Sequence, residues 1–107
     1  MTLNELTAIS PVDGRYRNKV ADLAPFFSEF GLIKYRVLVE VEYFLALAKE
    51  GITPFEHFPL EKSEALRQIY LNFTEQDALV IKETEKTTNH DVKAVEYFIR
   101  EEIPGKY

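Results

Sequence analysis

The stretch PFFSEFGLIKYRVLVEVEYFLALAKE, residues 25–50, limits what this chain can become. Val37, Leu38, Val41, Phe44, Leu45 and Ala48 recur at helical spacing, which predicts one long amphipathic helix. Pro25 suits its first turn, where the missing N–H costs nothing. Gly51, with Pro54 soon after, is a stop signal. Gly31 is expected to loosen the helix near its start. Arg36 and Glu40 stand four apart and can pair on the outer face. Val39, Tyr43 and Leu47 widen the apolar surface beyond one stripe, and a helix apolar on more than one side needs neighbours on more than one side. The plain reading is the central helix of a small bundle. The sharper one is a helix that also packs on something outside this chain.

The remaining segments fit around that helix. Residues 1–24 show no clean periodicity; Ser10-Pro11 and Asp13-Gly14 are turn signals, and a loop is the better reading there than a hairpin. ITPFEHFPLE is a loop with two prolines. Leu66, Ile69, Tyr70 and Phe73 mark a second amphipathic helix. Thr74 and Asp77 form a capping-box pattern opening a third. Thr88 and Asp91 repeat that pattern before a fourth, whose buried face is read as Val92, Val95, Phe98 and Ile99, with Pro104-Gly105 as its end. The expected fold class is all-α, a small helical domain over residues 1–107, with a long first helix and three shorter ones.

Composition closes off several functions. Apolar residues make up 46% and charged residues 29% of the 107 positions, so the chain is globular rather than disordered. The net charge of −5 argues against nucleic acid as a partner, because phosphate tracking needs excess cation. No apolar run approaches the roughly 20 residues that cross a bilayer, so no membrane role is expected. The amino end carries no basic segment followed by an apolar one, which argues against secretion. With no cysteine there are no disulfides and no thiolate chemistry, and a cytoplasmic location is the expectation. His57 has no second ligand at metal spacing and reads as a surface residue. Tyr35, Tyr43 and Phe44 read as core rather than as a stacking platform.

Two short stretches could hold a ligand. In DGRYRNK, residues 13–19, Arg15, Arg17 and Lys19 crowd together in an acidic protein. Guanidinium offers a planar fork of donors that suits phosphate or carboxylate. Gly14 would let the backbone approach a ligand closely, and Tyr16 adds a ring and a hydroxyl. Taken alone, the cluster reads more plainly as a solvated basic turn. The second stretch is Asn89-His90-Asp91 at a helix start, where free N–H groups favour an anion. Asn89 and neutral His90 can each donate and accept, and His90 can change charge near neutral pH. Capping alone would also explain Asn89 and Asp91, and the two roles are compatible.

LTAISPVDGRYRNKV, FSEFGLIKYRVLVEVEYF and IKETEKTTNHDVKAVEYFI, in that order, resemble the amino-terminal region of the adenylosuccinate lyase family, within the fumarase/aspartase superfamily. The likeness is weakest over ITPFEHFPLEKSEALRQ. It implies a cofactor-free β-elimination that releases fumarate from adenylosuccinate, giving AMP, and from the succinyl-carboxamide ribotide (SAICAR), giving its amide. It implies substrate-binding roles for Arg15 and Tyr16 and for Asn89, His90 and Asp91, with His90 binding and orienting rather than acting as principal acid. Arg17 and Lys19 carry no such implication and remain electrostatic support. The partners implied are the nucleotide substrate, the remaining domains and the other subunits of a homotetramer. The family's enzymes are several times longer, so the principal acid and the serine-bearing loop are expected elsewhere, and this stretch alone is expected to be inactive. The other reading is a stand-alone helical module that binds an anionic metabolite or a protein partner.

Overall fold

Ser28 decides where the long helix begins. A computed structural model describes residues 1–102, and at Ser28 the backbone turns extended, with φ −80° and ψ 171°. The Ser28 hydroxyl accepts the Gly31 N–H at 3.0 Å, and its carbonyl accepts the Leu32 N–H at 2.9 Å. That is an N-cap, so the single helix expected from Pro25 is two. Helix α2, Ala24–Phe27, carries Pro25 in its first turn, and α3 is Glu29–Lys49. Gly31 does not loosen α3. A Cβ there would lie 2.7 Å from the Pro25 carbonyl oxygen and 2.8 Å from the Phe26 carbonyl carbon, so glycine lets α2 fold back on the start of α3.

Ahead of these, in a stretch whose sequence shows no clean periodicity, Arg17–Val20 forms the helical turn α1. A 3-10 turn at Ala21–Leu23 links α1 to α2. Met1–Leu32 is the first of two compact units. Gly31 is its one buried residue, while Leu3, Leu6, Ile9 and Phe27 are more than four-fifths exposed.

The second unit runs from Ile33. It holds most of α3, then α4, Ser63–Leu71, α5, Glu75–Thr88, and α6, Asp91–Glu102. No strand occurs among the described residues, so the all-α expectation holds. Pro104-Gly105 lies outside the described residues. Among those residues no helix is long and apolar enough to cross a membrane.

Ile33, Val37, Val41, Leu45 and Ala48 form the buried stripe of α3, with Val37 and Val41 fully enclosed. Leu66, Phe73, Ala78 and Ile81 join the core from α4, α5 and the link between them. Helix α6 adds Ala94, Val95, Phe98 and Ile99; Ala94 takes the place expected for Val92, which is half-buried. Phe44 meets the edges of Phe55 and Phe58 at 5.5 and 5.0 Å, so the two-proline connector contributes its own rings to the interior. Phe73 and Phe98 meet edge to face at 5.6 Å. Phe44 is thus half-buried, but Tyr35 and Tyr43 are exposed rather than core. They lie with Val39 along a second side of α3, where the sequence had placed extra apolar surface.

Local signals end the helices as their chemistry requires. Past α3, the Gly51 N–H reaches the Ala48 carbonyl and the Ile52 N–H the Leu47 carbonyl, a Schellman closure with Gly51 at φ 70°. At α5 the full capping box forms: Thr74 accepts the Asp77 N–H at 3.2 Å and Asp77 accepts the Thr74 N–H at 2.9 Å. One polar knot ties α3 to α4. The Glu42 carboxylate accepts from Arg67 Nε at 2.9 Å and from the Tyr70 hydroxyl at 3.2 Å.

Two predictions follow from this packing. Gly31→Ala gains helix propensity worth about 1 kcal/mol, but backbone atoms under 3 Å away must move, a strain of about 1–3 kcal/mol. Chemical denaturation of the variant should therefore show no gain in stability and up to about 2 kcal/mol of loss; a gain near 1 kcal/mol would disprove the close approach. The Arg67 hydrogen bond holds the Glu42 carboxyl below its ordinary value of 4.5, with help from Tyr70 and against some desolvation. A depressed carboxyl stabilises the fold above the unfolded value and loses that contribution as pH falls through the folded one. For so exposed a pair the contribution is about 1 kcal/mol or less. Urea titrations from neutral pH to well below 4.5 should show the gap between the natural chain and Glu42→Gln closing on the acid side; a constant gap would show that the knot is not ionic.

Candidate functional site

SPVDGRY folds as a run of turns. The Ser10 hydroxyl accepts the Val12 N–H at 3.2 Å, its carbonyl accepts the Asp13 N–H at 3.1 Å, and the Pro11 carbonyl accepts the Tyr16 N–H at 2.9 Å. Gly14 is needed, though not for a ligand. A Cβ there would sit 2.7 Å from the Glu5 carbonyl oxygen and 3.1 Å from the Ala8 Cβ, so the space expected for a ligand is taken by the chain's own first turn. An open cleft of about 380 Å³ beside this turn is lined by Asn4, Glu5, Asp13, Gly14, Arg15 and Arg17, among others.

The cations in this turn differ in what they touch. Arg17 Nη1 lies 2.5 Å from Asp13 Oδ1, four positions earlier, so its charge is spent locally. The Arg15 guanidinium sits 5.1 Å from the centre of the Tyr16 ring. Among the described residues no carboxylate pairs with Arg15. Stacking on a ring leaves the fork of N–H donors open, so Arg15 keeps its capacity for phosphate or carboxylate. Both Arg15 and Tyr16 are exposed.

The Asn89-His90-Asp91 triplet is the corner between α5 and α6. The sequence pattern placed the cap of the last helix at Thr88, but α5 continues through Thr88. Asn89 then takes the left-handed conformation, φ 52° and ψ 32°, and its N–H closes on the Glu85 carbonyl at 2.7 Å. Asparagine is among the few residues that accept this conformation readily. The chain reverses in one residue, and His90 becomes the N-cap of α6. Its carbonyl accepts the Ala94 N–H at 3.1 Å, and its ring Nδ1 accepts the Lys93 N–H at 3.2 Å. The Thr88 hydroxyl accepts the His90 N–H at 3.3 Å and donates to the His90 carbonyl at 3.0 Å. With Nδ1 accepting, a neutral imidazole carries its hydrogen on Nε2. Nε2 has no hydrogen-bond partner among the described residues, and the ring is exposed.

Asp91 is engaged on both oxygens. Oδ1 accepts the Val92 N–H at 2.8 Å, and Oδ2 lies 2.6 Å from Arg36 Nη1. The Arg36 contact, followed by the Val92 N–H, holds the Asp91 carboxyl below the usual carboxylate range. Arg36 therefore reaches across to α6 rather than pairing with Glu40 on its own helix. Sequence spacing pointed to Glu40 because it sees only near neighbours; the true partner is 55 positions away.

Of the five residues singled out by sequence, Arg15 and Tyr16 belong to the first unit, and Asn89, His90 and Asp91 adjoin one another in the second. His57 is a surface residue beside Glu56, as expected. Among the described residues no three His, Asp or Glu side chains are grouped to hold a metal ion.

No family model matches the chain. Curated proteins do. The chain is 56% identical over 103 residues to the adenylosuccinate lyase of Dictyostelium discoideum, covering 94% of itself and 22% of that protein. It is 53% identical over 104 residues to the enzyme of that name from Vibrio cholerae, covering 96% and 23%. The protein of the same name from Haemophilus influenzae is 54% identical over 107 residues, covering 99% and 24%. The chain thus spans less than a quarter of the length of the curated relatives it matches. Along nearly all of its length, at about one identical residue in two, the chain is similar to part of proteins named adenylosuccinate lyase.

Proposed function

We propose that this chain supplies substrate-binding groups to an adenylosuccinate lyase whose principal acid and base lie in the rest of a longer protein. The reaction is a β-elimination. A base takes the proton from the carbon beside a carboxylate, the carbon–nitrogen bond breaks, and an acid protonates the departing nitrogen, leaving fumarate. Adenylosuccinate gives AMP, and SAICAR gives its amide. Charge builds up next to the substrate carboxylate, so fixed cationic donors lower the barrier.

The observation that carries this reading is the identity of about one residue in two to curated proteins of that name. The local geometry supports it. Arg15 presents an unneutralised guanidinium suited to a phosphate or carboxylate, with Tyr16 beneath it. Asn89 offers an exposed amide and His90 an outward Nε2–H donor, and Asp91 completes the triplet. Arg17, already neutralised by Asp13, is left with background charge alone. The remaining domains and other subunits of a homotetramer complete the site in this reading. The exposed apolar side of α3 with Tyr35, Val39 and Tyr43 is a surface of the kind such neighbours cover.

Two substitutions in an enzyme of the relatives' full length, carrying this segment, test the proposal. His90→Ala should lower kcat/KM by more than about tenfold, the loss of a positioned hydrogen bond to a charged group; unchanged steady-state kinetics would remove His90 from the site. Arg15→Ala should raise KM by a similar factor through the lost ionic contact; an unaltered KM and kcat would exclude Arg15. Calorimetry on the 107-residue chain decides against the alternative. Tight AMP binding by this chain alone would instead favour a self-sufficient binding module.

A further inference from the structure

We propose that Arg36 is a positioning residue for His90, acting through Asp91. This rests on the reading of His90 as a substrate-binding group. Its structural basis is independent of that reading. Asp91 is the carboxylate next in sequence to His90, at the same helix start. A free carboxylate beside a histidine competes for a ring N–H and would draw hydrogen onto Nδ1. Here that competition is removed. The Arg36 guanidinium takes Oδ2 at 2.6 Å and the Val92 N–H takes Oδ1 at 2.8 Å. The ring is left to accept from the Lys93 N–H through Nδ1, which fixes Nε2 as the outward donor.

Arg36 is placed to do this by the core rather than by local sequence. It stands on α3 next to Val37, which is fully enclosed, so its backbone is held by packing. Its side chain is less than a third exposed, and the ion pair spans 55 positions of sequence. The contact thus transmits the register of α3 to a triplet at the far end of the chain. A bidentate-capable, always charged group suits that task better than lysine, whose ammonium is a point charge with more freedom. Arg36 touches no substrate in this account. Its effect is to set which nitrogen of His90 bears hydrogen and where that hydrogen points.

Long-range proton–nitrogen correlation NMR on the 107-residue chain, above the imidazole titration range, reads the two ring nitrogens directly. His57, whose Nε2 lies 3.6 Å from the Glu56 carboxylate, should keep one tautomer ratio in every variant and so serves as the control for constancy. His90 should favour the Nε2–H form about fivefold more than an unconstrained histidine does, the bias of one ordinary hydrogen bond. Arg36→Met should erase most of that bias, Arg36→Lys should keep part of it, and Arg36→Met with Asp91→Asn should restore it by removing the competitor. Should Arg36→Met fail to fold, Arg36→Gln carries the same expectation. An unchanged His90 tautomer ratio in the Met or Gln variant would overturn the proposal. Kinetics in the full-length enzyme separates it from the reading of the site. If the tautomer shifts while His90→Ala leaves kcat/KM intact, the Arg36 contact stands and the substrate role of His90 falls. If the tautomer does not shift while His90→Ala is impaired, the site stands and Arg36 has no part in it.

Discussion

Ile33, Val37, Val41, Leu45 and Ala48 lie along one side of α3 and are withdrawn from water almost completely. Burying such a stripe is the main source of stability open to a unit of this size, since each enclosed aliphatic side chain contributes roughly 1.5–3 kcal/mol. The polar contacts of α3 follow from it. With the stripe turned inward, Glu42 is carried to one flank, where Arg67 and Tyr70 meet it, and Arg36 to another, where Asp91 does. Neither contact would hold the helix in place, because partly exposed ion pairs are weak. They report a register that apolar packing has already set, and they use it to fix side chains on α4 and α6.

The parts of this fold that were legible in the sequence are those decided by near neighbours. The stripe of α3, the Gly51 stop, the Thr74–Asp77 box and the all-α class depend on spacing within a few residues, and they formed as the spacing required. The failures have several causes. Arg36 was matched to Glu40 because helix periodicity puts them together, yet Asp91 offers a carboxylate that no local rule could bring near. The cap at Thr88 was displaced because Asn89 could take the left-handed conformation and extend α5 by its last turn. Ser28 was overlooked as a cap since the apolar pattern runs through it without a pause. Tyr35 and Tyr43 were assigned to the interior on hydrophobicity alone, which says little about exposure for an aromatic ring with a hydroxyl.

The candidate site divides in the same way. Its residues were legible only through likeness to a family; charge counting alone favoured a solvated turn and a simple cap. The structure adds what neither source held. Of the two arginines on the basic turn, one is consumed by Asp13 and the other is stacked with its donors open. Of the two titratable groups in the triplet, Asp91 is locked and His90 is left with one open donor. In each case one neighbour holds and the other is offered, and for the two arginines contacts rather than residue type make the difference.

Asn89 gives the triplet a mechanical character as well. Two rods, α5 and α6, meet there with only Asn89 and His90 between them. Both arms bury side chains in one core, Ala78 and Ile81 from α5 and Ala94 and Val95 from α6, so they cannot swing apart without opening it. A histidine mounted at that corner therefore borrows the rigidity of a buried interior while itself standing in water.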